Sequence, residues 1–95
     1  MSEQKQIFAE EYRFLRSRID TYLTVGRPKV DVSQLTNEDL EIAHQYLLHR
    51  LEKESAFLLP LAKRRMVVML KNTAKTVKRI ADLLADVIEE ERRRV

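Results

Sequence analysis

The chain has 95 residues, no cysteine, one glycine and 35% charged residues. That length is one domain and that composition favours helix over a sandwich or barrel. The missing cysteines exclude a disulfide framework, a thiolate metal site and a thiol nucleophile. Net charge is only +3, but residues 60–79 carry seven cations and no acid, and residues 80–91 carry five acids and no base. Such alternation describes a bipolar surface more than a uniformly basic one. A core this small is marginal alone, since about 60–65% of the unfolded surface is buried at this size.

The N-terminus, Met1 followed by five polar residues, is too polar for a signal peptide. The longest apolar run, Ala56–Ala62, contains Pro60 and falls far short of the ~20 residues of a membrane span. A cytoplasmic protein is therefore expected. The high charge and absence of cysteine also suit a thermophile.

The first helix is predicted over residues 3–24. Phe8, Tyr12, Leu15, Ile19 and Tyr22 recur at spacings of four and three. Ser2 is a candidate N-cap, and Gly26 with Pro28 beyond it marks the C-terminus. A connector over 25–35 follows, in which Val30 and Val32 alternate with polar residues.

The second helix is predicted over 37–58, with Thr36 as N-cap, Asp39 at the capping-box position, and Leu35 and Leu40 placed as a hydrophobic staple. Leu40, Ala43, Leu47 and Leu51 form its apolar stripe, widened by Tyr46 and Leu48.

The third helix is predicted over 60–93. Pro60 is comfortable at a first helical position and costly inside a helix, so either a break near Leu58–Leu59 or one kinked helix is expected. Met66, Leu70, Thr73, Val77, Ile80, Leu84 and Val87 form a heptad stripe, and Val67, Ala74, Ala81 and Ile88 repeat every seven residues beside it. The fold class is all-α, a three-helix antiparallel bundle with a long C-terminal helix. That helix outruns its neighbours, and Leu84, Val87 and Ile88 near its end are expected to dock on a partner helix or a second copy. The terminal arginines read as a solvated end that frays.

The outward face carries Arg64, Lys71, Lys75 and Lys78, with Arg79 at its edge and Lys63 and Arg65 at its start. These seven cations are the candidate surface for nucleic-acid phosphates or an acidic protein. No aromatic residue interleaves with them, so base stacking is not implied. Arg13, Arg16, Arg18, Arg27 and Lys29 form a second basic cluster. Glu41 and His44 make one Glu-x-x-His pair, where a di-iron bundle uses two, so no metal or other cofactor is expected. No nucleophile–base constellation and no glycine-rich phosphate loop is present. The expected function is a non-enzymatic accessory or adaptor subunit, in a nucleic-acid-processing assembly, that docks on a protein or on itself. The alternative is a freestanding, sequence-nonspecific nucleic-acid-binding protein.

Overall fold

The computed structural model describes residues 6–95. Its helices are α1 (Arg13–Val25), α2 (Asn37–Ser55), the short α3 (Leu58–Lys63) and the long α4 (Val67–Arg93). Single 3-10 turns precede α1 at Glu10–Tyr12 and α2 at Val32–Gln34. Among the described residues there is no strand, and the long helices form an antiparallel all-α bundle. No helix here is long and apolar enough to cross a membrane.

α2 and α4 form the central pair. Their register is set at one end. His44 Nδ1 lies 2.7 Å from Glu91 Oε1, and Arg94 donates to the Asn37 side chain at 3.0 Å. The N-terminus of α2 thus lies beside the C-terminus of α4. α2 has 19 residues and α4 has 27, about 28 Å against about 40 Å. α4 therefore projects beyond α2 at its own N-terminal end. The molecule extends 43 Å along its longest axis, close to the length of this helix.

Burial follows that register. Ile19, Leu23, Leu40, Leu47, Ile80, Leu83 and Val87 are fully buried at the centre. On α4 the core begins at Ile80, whereas Leu70, Thr73 and Val77 are only half-buried and Met66 is exposed. The heptad stripe is real, but half of it lies where α2 no longer runs. Leu83, outside the predicted stripe, is buried in the core cluster as well. In α1 the buried side chains are Leu15, Ile19, Tyr22 and Leu23; Tyr12 of the preceding 3-10 turn and Ile7 are buried too, whereas Phe8 is half-exposed.

The predicted helix 3–24 is shorter than expected. Its proposed cap at Ser2 lies outside the described residues. The chain leaves helical geometry at Ala9 (φ −60, ψ 147) and re-enters through a 3-10 turn. The carbonyls freed by this break are taken by Arg16, which donates to Ile7 O at 2.8 Å and Ala9 O at 2.7 Å. Gly26 ends α1 as predicted, at φ 91 in the left-handed region that suits glycine. The Thr36 cap also holds: its hydroxyl accepts from the Asp39 amide at 3.0 Å, and Leu35 and Leu40 are both buried. Val30 is buried in the core, with Val32 packed beside it.

The predicted helix 60–93 is two helices. Pro60 neither starts nor kinks one. It lies in the first turn of α3, where its missing amide costs no intrahelical bond. The chain breaks twice: at Ala56–Phe57, just before the expected Leu58–Leu59, where the second helix ends short of its predicted limit, and again at Arg64–Met66. The Met66 amide donates to Leu61 O at 3.0 Å and the Arg65 amide to Ala62 O at 3.1 Å. This is the paired-bond pattern of a Schellman stop, with Arg65 (φ 57) where glycine is usual.

The C-terminus is pinned rather than frayed. Arg94 donates to Leu35 O at 2.7 Å and to Glu90 Oε2 at 2.9 Å, with Val32 O and Ser33 O also in reach. Arg93 pairs with Glu90 as well. These two guanidiniums hold the buried Glu90 carboxyl below the usual range. The stabilisation is therefore complete above the ordinary glutamate pKa and is lost as pH falls through the lowered value.

Leu47→Ala should cost about 2–5 kcal/mol in urea unfolding, because Leu47 is fully buried against α4. Met69→Ala should stay within about 0.5 kcal/mol of the parent. Equal costs at the two positions would overturn this assignment of the core.

Candidate functional site

The structure divides the predicted basic face. Arg79 is structural: its Nη1 donates to Leu23 O and Thr24 O, each at 3.1 Å, capping the exposed carbonyls at the C-terminus of α1. Its guanidinium lies 3.0 Å from where a Cβ on Gly26 would stand, so Gly26 serves both the turn and this contact. Lys78 pairs with Asp82 one turn along, at 3.1 Å. Lys63, Arg64, Arg65, Lys71 and Lys75 are all exposed, with no ion-pair partner among the described residues.

The second basic cluster disperses into structural contacts. Arg13 pairs with Glu10 at 2.9 Å, and Arg16 holds the N-terminal carbonyls with its guanidinium 5.7 Å from the Phe8 ring centre. Lys29 reaches Asp86 at 3.0 Å, which raises the lysine pKa and ties the connector to α4. Arg18 and Arg27 remain exposed. A further tie joins α1 to α2. Tyr46 donates to Asp20 at 2.7 Å and Arg50 to the same carboxylate oxygen at 2.6 Å. Burial, then the Asp20 contact, pushes the Tyr46 hydroxyl up.

Leu84 and Val87 do not form a docking face. They are 8% and 1% exposed, and Ile88 packs half-buried beside them. The overhang expected at the C-terminal end of this helix lies at its N-terminal end. With the C-terminus of α4 anchored beside Asn37, the excess length emerges at Val67 instead.

That emerging end carries the unpartnered apolar surface. Leu59 is 64% exposed, Val68 71% and Met69 51%, with Phe57, Val67 and Met66 exposed as well. Leu61 of α3 is buried there but lies outside the main core cluster. Met66 to Leu70 are five consecutive apolar residues, and five residues exceed one turn, so this end is apolar on all sides. A helix apolar all round is normally buried. Arg64 and Arg65 stand at the apex of the turn, Lys63 closes α3, and Lys71 and Lys75 follow one and two turns along α4. The corner is an apolar knuckle ringed by cations. Periodicity could not reveal it, because it depends on where α2 stops. The run Met66–Leu70 flanked by basic residues was its local signal.

Glu41 and His44 lie at a shallow cavity between the ends of α2 and α4, lined also by Asn37, Leu40, Gln45, Glu91 and Arg94. The histidine is engaged by Glu91, and among the described residues no group of three or more metal-ligating side chains is assembled. Comparison with protein-family models, with curated proteins and with solved structures finds no match for this chain.

Arg79→Met should destabilise the fold by about 1–2 kcal/mol, through the lost carbonyl contacts. Lys71→Met and Lys75→Met should each fall within about 0.5 kcal/mol of the parent. Chemical denaturation of the three variants separates the structural cation from the free ones, and equal effects would remove the distinction.

Proposed function

We propose that this chain is a non-enzymatic adaptor that docks on an acidic protein surface through the α3–α4 corner. The carrying observation is the coincidence of exposed Phe57, Leu59, Met66, Val67, Val68 and Met69 with five cations that have no acidic partner among the described residues. Apolar area supplies affinity that salt does not abolish, and the cations select a negatively charged rim and speed encounter. Entry into a bilayer is disfavoured by the order of groups: Arg64 and Arg65 lead at the apex and would precede the apolar turn into hydrocarbon, at about 2.5–3.5 kcal/mol each. Corner-to-corner pairing of two copies is disfavoured by the same charges, which a two-fold axis would bring together.

Direct contact with a nucleic-acid backbone is the second reading, and Lys71, Lys75 and the turn cations support it. It makes no use of the apolar residues. Membership of a nucleic-acid-processing assembly is part of the proposal under either reading.

Tagged chain recovered from its own cells with nuclease treatment should bring down a protein in stoichiometric amount, and Val68→Asp with Met69→Asp should abolish that recovery without altering the melt. Anisotropy titration of labelled duplex DNA should show weak binding lost between about 50 and 200 mM salt. DNA binding that persists at the higher salt, or recovery that survives the aspartates, would favour the phosphate-binding reading over the adaptor.

A further inference from the structure

The turn between α3 and α4 has a property that lies in its backbone rather than in its apolar surface. Ala62 to Met69 are eight consecutive exposed residues, and no other exposed run among the described residues exceeds four. At the centre of that run the chain leaves helical geometry. Arg65 stands at φ 57 and Met66 at φ −87, ψ 80. Lys63, Arg64 and Arg65 fill the three positions leading into the Arg65–Met66 bond. Exposed turns are where endoproteases nick folded chains. An acidic specificity pocket accepts the arginine or lysine that precedes the cut bond.

The remaining cations offer no comparable bond. All those described lie inside α1, α2 or α4, where the backbone is tied into helical hydrogen bonds, except three. Arg27 is followed by Pro28, whose ring replaces the N–H such enzymes require. Lys29 is tied to Asp86 at 3.0 Å and followed by buried Val30. Arg94 is held by Glu90 and by Leu35 O. Lys5 lies outside the described residues.

We propose that this turn is a cleavage site for an arginine-specific endoprotease, and that the cut chain remains a bundle. Water adds across the peptide bond. Its hydroxyl goes to the arginine carbonyl carbon and its proton to the following nitrogen, leaving a carboxylate and an ammonium. The segment can be drawn into a protease without opening the core. α3 has six residues, of which only Leu61 is buried, outside the main cluster, and the core on α4 begins at Ile80. Local opening of such a segment costs less than global unfolding. After the cut, residues 66–95 stay held. Ile80, Leu83 and Val87 remain buried, and the bonds from His44 to Glu91, Arg79 to Leu23 O and Arg94 to Leu35 O all cross between the two pieces. The cut dismantles the corner, because the Met66 nitrogen no longer ties α4 to Leu61 O through a continuous turn. Loss of docking by that route rests on the adaptor reading; the cleavage site itself does not.

Brief trypsin digestion of the full chain under native conditions, read by intact mass, tests this. The first internal cut should fall after Arg64 or Arg65. The two pieces should elute together from gel filtration and separate only in denaturant. Lys63→Gln, Arg64→Gln and Arg65→Gln combined should slow internal cutting at least about tenfold with an unchanged melt, whereas Lys71→Gln with Lys75→Gln should leave the rate within about twofold. A first internal cut inside α1, α2 or α4, or in the connector, would overturn the inference. So would pieces that part without denaturant, or digestion with no two-piece intermediate, which is cleavage through global unfolding. Partner recovery is measured on the uncut chain, so the adaptor reading and the cleavage site can each fail without the other.

Discussion

The register of α2 against α4 is the constraint on which the rest of the molecule depends. It is fixed at one end, where His44 meets Glu91 and Arg94 gathers the carbonyls of the segment before α2. From that anchor, two helices of unequal length diverge in extent and the surplus of α4 appears at its N-terminus. α1 crosses the same pair and ends where Arg79 caps it, so it too stops short of the projecting turn. The bare corner is a consequence of lengths and register rather than of any single residue.

Arginine does much of the work of closing the structure. Arg16 donates to the carbonyls of the broken N-terminal turn, Arg50 joins α2 to α1 through Asp20, Arg79 caps α1, and Arg94 locks the C-terminus. Each uses the planar, many-donor guanidinium on backbone carbonyls or a shared carboxylate, geometries for which lysine is poorly suited. In a chain with one glycine and little core, these contacts satisfy carbonyls that loops would otherwise leave bare. The lysines of α4, except for the Lys78–Asp82 pair, are left facing solvent. The positive charge of the chain therefore divides into a structural set and a free set, and only the free set is available to a partner.

Local signals were legible in the sequence. The Thr36 cap, the Leu35–Leu40 staple and the Gly26 stop each depend on a few adjacent residues and appear where expected. The all-α class followed from composition and periodicity. Signals that depend on other helices were not legible. The stripe from Met66 to Val77 has core spacing, but whether it is covered is decided by the end of α2. The break at Arg65 was hidden because an arginine holds the left-handed position that glycine normally announces. Arg79 looked like its neighbours on the wheel, yet the carbonyls of α1 come to it from a segment more than fifty residues away in sequence. Five of the seven cations of the predicted basic site, and none of the predicted docking stripe, survive as free surface.

Hydrogen exchange along α4 reads the register itself. Amides from Ile80 to Val87 should exchange only with global unfolding, and those from Lys71 to Thr76 at least about tenfold faster through local opening, because only α3 lies beside them. Uniform protection from Lys71 to Val87 would mean that the N-terminal third of α4 is supported like the rest, and the bare corner would not exist as described.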